Sequence, residues 1–512
     1  MSELPFVDIA IIVLYLLAMI GIGFYFSRKN KNAEQFTKAS GHIPGWALGL
    51  SFYATFLSSN TFLGVPGKAF GSNWNSFVFS LSMPLAAWVA AKYFVPFYRK
   101  TGEISAYTHL EHRFGAWART YTMACFVLTQ LARMGSIFFG IALTIEALTG
   151  IDMRTIMIVS GICIITYTLL GGMEAVIWTE VVQAIIKTIG AAAVVWLVMV
   201  RMDNGIADVW SIGSANEKFS LGSYSLTDWS TSTFWVVLLY GFFINLNNFG
   251  IDQNYVQRYH AARSEKEATR SIWLCVYWYL PVSLVFFFIG SALFAYFDQH
   301  PELIQHVKEQ VAIEKGVAVG ELLPADYGDK VLPHFMVTSV PHGLLGLIIA
   351  AILSAAMSTI SSGMNSSATV FLKDIYQRYI DRNITPKREM TVLYVSTAAM
   401  GLFAIIAGIA MIGVKSILDL WWQLAGIFSG GMLGLFLLGM ISRTAGNFEA
   451  KLATVIGIII ILWMTFSFML PENLSAIRNP IHLNMVIVVG TLTIFLVGAI
   501  TARIRRPEAQ RA

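Results

Sequence analysis

Charge is scarce in this sequence. Asp, Glu, Lys and Arg make up 13% of its 512 residues, about half of the ~25% that a water-soluble domain carries. That scarcity excludes a soluble multidomain enzyme, and a hydrophobic share of 56% excludes a disordered chain. Cysteine is nearly absent. Cys125, Cys163 and Cys275 all lie in apolar stretches, so no disulfide framework is implied. A surplus of one charge sign is missing too: 35 basic against 30 acidic residues leave +5, too little to argue for nucleic acid. The sequence also lacks HExxH, a Cys or His cluster and a Ser–His pairing at membrane depth, and with them the marks of a membrane-embedded enzyme.

What is present is apolar length. A spanning helix needs roughly 20 mainly apolar residues. Thirteen stretches qualify: 6–28, 44–70, 73–97, 119–149, 155–171, 175–201, 231–255, 272–297, 335–371, 390–414, 417–442, 452–470 and 480–503. They predict an all-α membrane protein, one domain over 1–512 in a lipid bilayer, with no obligate protein partner. The first span is not a cleaved signal: its flank is acidic (Glu3, Asp8), its apolar core is too long, and Arg28, Lys29 and Lys31 follow it. Of the 35 basic residues, 23 fall in one set of loops, nine in the opposite set and three (Lys92, Arg133, Lys187) inside spans. The larger set, which includes Arg258, marks the cytoplasmic side, so the N-terminus is expected outside and the C-terminus inside. The outer segment 298–334, with Glu302, Glu309, Glu314 and Glu321, reads as short surface helices.

The informative residues are the polar ones within spans, because burying them in lipid is costly. Span two carries Ser58, Ser59, Asn60 and Thr61, followed by Pro66-Gly67; span seven carries Asn245, Asn247, Asn248 and Gly250. Both are expected to unwind near the midplane, which is tolerated where the backbone lines a cavity or is buried in protein. Spans 2–6 and 7–11 each begin with one of them, the pattern of an inverted repeat, over about 44–201 and 231–442. The alternative is that these polar groups glue helices together. Span nine has Ser354, Ser358, Ser361, Ser362 and Asn365 on one helical face. Uncharged hard oxygens of this kind suit a small hard cation that must be bound and released; close helix packing by small residues is the competing reading.

At these residues the chain resembles the sodium:solute symporters, and within them the sialic acid transporters. The resemblance rests on Tyr53-Ala54-Thr55 to Ser58-Ser59 with Thr61-Phe62, on SAYTHLEHRF (Ser105 to Phe114), and on YTLLGGMEAVIWTEVVQ (Tyr167 to Gln183). DQNYVQRY (Asp252 to Tyr259) and the serine-rich span nine extend it. It implies a five-plus-five inverted-repeat core of the LeuT type, with one helix before and two after. It also implies a Na+ site made by the carbonyls of Ala54, Leu57 and Ala355 and the hydroxyls of Ser358 and Thr359. A second sodium would map to Glu180, Ser358, Ser361 and Ser362, although Glu180 stands where the family has Asp. Lys187, two turns beyond Glu180, stands where an apolar residue is expected; the two form a buried ion pair, or Lys187 substitutes for or competes with the second ion. One coupling sodium is expected, and Glu180 leaves proton coupling open.

The resemblance makes Arg133, near the centre of span four, the anchor of a substrate carboxylate, assisted by Ser58 and Thr61. A guanidinium fork matches a carboxylate bidentately; the alternative partner is a protein carboxylate or a backbone carbonyl. Phe56 replaces a Thr of the sialic acid transporters, Ser80 a Gln and Ser76 a bulkier aromatic, so the anchor stays while the pocket changes. Asn60, Asn75, Ser80, Gln130 and Asn245 are candidates for replacement contacts. The expected activity is sodium-coupled uptake of a small organic anion, a carboxylated sugar such as sialic acid, by alternating access. The alternative is a neutral sugar or polyol. Tyr53, Phe56, Trp74 and Phe249 are candidate gates. An ion channel or a transporter-derived receptor is expected to fit less well, because the chain reads as carrying its own repeat and the tail after about residue 503 reads as too short for a signalling domain.

Overall fold

The structure is a computed structural model that describes residues 5–27, 32–39, 41–414 and 416–509. Glu3, Arg28, Lys29, Lys31, Lys415 and Arg511 lie outside the described residues, as does the Arg506 side chain. Among the described residues the architecture is all helical, with one isolated bridge between Ile43 and Ala262. Eleven helices among the described residues are long and apolar enough to cross a membrane. Two of the thirteen expected spans are built from shorter pieces: Met153–Leu169, and the pair Gly45–Phe56 and Ser59–Gly71. The expected count of thirteen therefore depends on these pieces crossing as well.

Burial grades outward from the centre. The hydroxyl-rich helix Leu344–Val370 is buried along nearly its whole length, and its π-helical continuation Phe371–Ile380 emerges at one end. Around it pack Ala116–Thr149, Met153–Val200 and the broken span two. At the periphery, Leu14, Leu17, Trp196, Val395, Ile459 and Ile500 are exposed, a surface that suits lipid rather than water. Span nine is shifted along the chain rather than shortened: it runs over Leu344–Ile380, not 335–371. Residues 335–339 belong to a separate helix, Pro324–Ser339, which joins Pro301–Lys315 as the expected surface helices of segment 298–334.

Three breaks shape the centre. Span two opens at Leu57 (φ −89°, ψ 91°) and Ser58 (φ −97°, ψ 177°), just before its polar run. Short hydroxyl and amide side chains there favour caps over helix interiors. In span seven the expected break near Asn245–Gly250 is not where the backbone opens. Phe234–Ile251 is continuous through all three asparagines, and the helix breaks at Asp252 (φ −72°, ψ 122°), whose side chain accepts from Asn254 N at 2.8 Å and caps Gln253–Ala261. The Asp side chain supplies the N-cap acceptor that opens the backbone there, while Asn245 spends its amide on Phe79 and Ser82. The third break is Gly172 (φ 57°), which turns span five into span six inside Met153–Val200. This left-handed geometry is one that only glycine adopts freely, and it gives the LLGGMEAV stretch its structural purpose.

Candidate functional site

The break at Leu57–Ser58 opens onto a cavity lined by Phe56, Ser58, Asn60, Thr61, Ser80 and Arg133, six of the seven expected substrate residues. Asn245, the seventh, faces elsewhere: its amide donates to Phe79 O (3.3 Å) and Ser82 Oγ (3.2 Å) and ties span seven to span three. Asn248, three residues on, lines the cavity in its place. Asn60 donates to Ser136 Oγ at 2.8 Å, while its Oδ1 is buried without a partner, an unspent acceptor beside the cavity. Ser80 pairs with Ser283 Oγ at 2.7 Å. Phe56 lies at the break, its ring centroid 5.2 Å from Phe249, 5.0 Å from Tyr255 and 5.6 Å from Tyr279. On another wall Trp422 stands 5.3 Å from Phe79 and 5.0 Å from Tyr240. These aromatic walls can hold the body of an organic solute by its apolar face.

Arg133 is 8% exposed and supplies the cavity's positive charge. Its guanidinium lies 5.0 Å from the Trp421 ring centroid, 3.5 Å from Asp252 Oδ2 and 3.3 Å from Asn248 Oδ1. Both polar contacts are long, so a fork with five N–H donors is engaged only loosely. Asp252 is better served by others: it accepts from Asn254 N at 2.8 Å and Nδ2 at 2.7 Å, and from Gln130 Nε2 at 3.2 Å. The helix cap and the guanidinium thus share one carboxylate, and Arg133 keeps donor capacity toward the cavity.

Behind the break, two protein cations sit among the expected sodium ligands. Lys187 Nζ donates to Ala54 O (2.7 Å), Leu57 O (3.0 Å) and Ser358 Oγ (2.6 Å). Ser358 in turn donates to Ala54 O (3.0 Å) and Ala355 O (3.2 Å), and Thr359 Oγ1 to Thr55 O (3.2 Å) and Ala355 O (3.3 Å). All five expected ligands of the first site are together, with an amine among them. Beside Ser362, one helical turn from Ser358, Glu180 is paired with Arg258 (Nη2–Oε2 2.7 Å), both side chains fully buried. Ser51, Thr55 and Ser362 bridge the pair, each accepting from Arg258 (2.8, 2.9 and 2.7 Å) and donating to Glu180. The partner of Glu180 is therefore Arg258, not Lys187. Arg258 is a core residue of Gln253–Ala261, not one of the loop cations with which the orientation argument counted it. Ser361, expected beside Glu180, donates instead to Ser358 O at 3.2 Å.

The sodium:solute symporter family model matches residues 36–457. The chain belongs to that family. It is 32% identical over its whole length to 97% of the sodium/sialic acid symporter SiaT of Proteus mirabilis. It is 33% identical over 95% of its length to 91% of the sodium/sialic acid symporter NanT of Aliivibrio fischeri. In three dimensions it is similar to a Na+-coupled sialic acid symporter solved in a substrate-bound outward-open state, with TM-score 0.86 and 30% identity over 98% of both chains. The nucleobase-cation symporter Mhp1, at TM-score 0.56 and 15% identity over 92% of this chain and 94% of its own, shares the fold. The architecture is that of the LeuT-type transporters.

Other motifs of this symporter hold the bundle ends. In the SAYTHLEHRF stretch, Ser105 donates to Asp374 at 2.7 Å, and Glu111 pairs with Arg119 (2.8 Å) and Arg378 (2.6 Å), tying it to the π-helical end of span nine. Gln253, beside the second break, accepts from Ala106 N (2.9 Å) and donates to Ile104 O (2.7 Å). At the opposite end of the broken helix, Lys68 pairs with Asp419 at 2.8 Å. There Asp329 accepts from Ile417 N at 3.0 Å, and only glycine at 67 admits it, since a Cβ would lie 2.4 Å from its Oδ1.

Burial, reinforced by Asp419, pushes the Asp329 carboxyl up to about 7. In the unfolded chain the group titrates near ~3.9, so between these values the folded protein holds the extra proton. Its stabilisation is complete below about pH 4 and is lost as pH rises through 7. Asp329→Asn keeps the acceptor without the charge. The variant is expected to melt above the wild type at pH 8, with the gap closing toward pH 5; a gap independent of pH would exclude this titration.

Asn248, Tyr255, Tyr279, Ser283, Trp421, Trp422 and Asp252 were not among the expected substrate residues. Trp421-Trp422 gave a signal, adjacent indoles in an apolar span, but aromatics of packing give the same one.

Proposed function

We propose that this protein is a sodium-coupled symporter that takes up a small organic anion, a carboxylated sugar of the sialic acid class, by alternating access. The observation that carries the reading is Arg133: a buried guanidinium facing the cavity beside the break, with donors to spare. The sialic acid symporters similar over nearly the full chain support it. Transport rather than catalysis, residence in a bacterial inner membrane, and an outside N-terminus with a cytoplasmic C-terminus belong to the same proposal. So does the division into repeats at about 44–201 and 231–442.

In this cycle a solute carboxylate takes over the Arg133 donors that Asp252 and Asn248 hold loosely, and Ser58, Asn60, Thr61 and Ser80 meet its hydroxyls. The shared break then couples that engagement to the cation position behind it, and by linkage each tightens the other. The potential adds about 2.3 kcal/mol per inward charge at 100 mV. A neutral sugar or polyol is the second reading, favoured by the contact of Arg133 with Asp252, which gives the cation a partner without any substrate.

The test is the melting temperature of the detergent-purified protein with a panel of sugar acids and neutral sugars, each in sodium and in potassium. A bound solute at a hundred times its Kd stabilises by about 2.7 kcal/mol. A shift with sialic acid that needs sodium supports the proposal. A shift with neutral sugars alone moves the substrate to the second reading.

A further inference from the structure

The amine of Lys187 and a sodium ion cannot share the first site. Nζ lies within 3.0 Å of Ala54 O, Leu57 O and Ser358 Oγ, three of the five atoms that the family resemblance assigns to sodium. Ser358 spends its own proton on a carbonyl, so its oxygen is an acceptor toward Lys187. Two carbonyls and that oxygen together take three donors, the full set of an ammonium. The group is fully buried. Glu180, the acidic residue two turns before it on the same helix, is already neutralised by Arg258. The counter-charge of Lys187 is therefore the concentrated dipole of the two carbonyls freed at the helix break, the same feature that would hold a metal cation.

We infer that Lys187 is a tethered competitor for the coupling cation. Its ammonium closes the junction between Gly45–Gly71 and Leu344–Val370, and sodium enters only when that side chain leaves. This inference rests on the sodium-coupled reading above and adds to it the residue that sets cation affinity. The consequence is a weakened demand for sodium: the junction stays held without the ion, and binding must do the work of expelling an ammonium from three hydrogen bonds. Removing the amine exposes the Ala54 and Leu57 carbonyls and Ser358, and turns the site into one that an external cation fills.

The experiment is a sodium titration, with sodium chloride replacing potassium chloride at constant ionic strength, read as the melting temperature of the full-length purified protein. Wild type is compared with Lys187→Ala, Lys187→Met, which keeps the chain length without the charge, and Lys187→Arg, which keeps a cation. In Ala and Met the half-saturating sodium concentration is expected to fall at least tenfold below wild type. Both are expected to melt lower than wild type in potassium and to recover in sodium, whereas Arg keeps a half-saturating concentration no lower than that of wild type. Recovery by sodium also separates loss of the ammonium from a general packing defect, which no ion repairs. A sodium shift in the Ala or Met variant with none in wild type supports the competitor and removes sodium coupling from the wild-type cycle. Equal half-saturation in wild type and variants overturns the competitor and leaves the symport reading standing. No sodium shift in any form overturns both.

Discussion

Glu180→Gln is expected to unfold this symporter at a markedly lower temperature than any other single change near the cavity. The substitution leaves the Arg258 guanidinium fully buried with hydroxyls and a backbone carbonyl but without the carboxylate it is paired with. Breaking a buried pair from one side costs about 3–5 kcal/mol, because the remaining charge stays desolvated. The carboxylate also organises Ser51, Thr55 and Ser362, which donate to it while accepting from Arg258. With an amide, at least one of those hydroxyls meets a donor in place of an acceptor. The double variant Glu180→Leu, Arg258→Met removes both charges together, and such replacements are frequently neutral or stabilising. The double variant is expected to recover most of the lost melting temperature, a strongly non-additive cycle. If it also transports at the wild-type rate, the pair is architectural. If it is stable but inactive, the pair belongs to the transport cycle. A Glu180→Gln protein that melts with the wild type would exclude the buried pair as drawn.

The architecture was largely legible because its signals are long and redundant. Twenty apolar residues in a row admit few alternatives, and Ser58-Ser59-Asn60-Thr61 stands against that background, so the first break lies within two residues of its polar run. The second break was misplaced because three asparagines and Gly250 make a louder signal than one aspartate. Yet Asp252 offers an N-cap, while Asn245 spends its amide on span three. Arg258 was misread for a different reason. It follows an apolar stretch by only a few residues, where a cation ordinarily reaches water, and nothing local shows that its partner is Glu180, 78 residues earlier. Lys187 was visible as an anomaly, since no apolar helix carries a lysine without cause. Its partners were not visible, because they are backbone carbonyls exposed by a break in another helix. Residue types in a sequence announce side-chain ligands and stay silent about carbonyls.

Arg133→Ala carries the second large effect, and it falls on substrate rather than on the fold. Truncating one partner of a buried hydrogen-bonded charge pair costs about 2–5 kcal/mol, so uptake of a carboxylated sugar at subsaturating concentration is expected to fall by about 30-fold or more. Arg133→Lys keeps the charge and loses the fork, so it is expected to fall between the two, since a lysine presents a point charge without bidentate geometry. Stability is expected to change far less than in Glu180→Gln. Asp252 retains the Asn254 backbone and side-chain donors and Gln130 when the guanidinium goes, whereas Arg258 loses the carboxylate it is paired with when Glu180 goes. The contrast between the two variants, one folded and unable to bind, the other binding-competent only when cold, separates a substrate anchor from a buried structural pair. The measurement is uptake of labelled sialic acid into proteoliposomes beside the melting curve of each variant. If Arg133→Ala takes up every carboxylate tested at the wild-type rate, then Asp252 is the true partner of Arg133 and the solute is a neutral sugar or polyol, read by the hydroxyls of Ser58, Thr61 and Ser80 and by the indoles of Trp421 and Trp422.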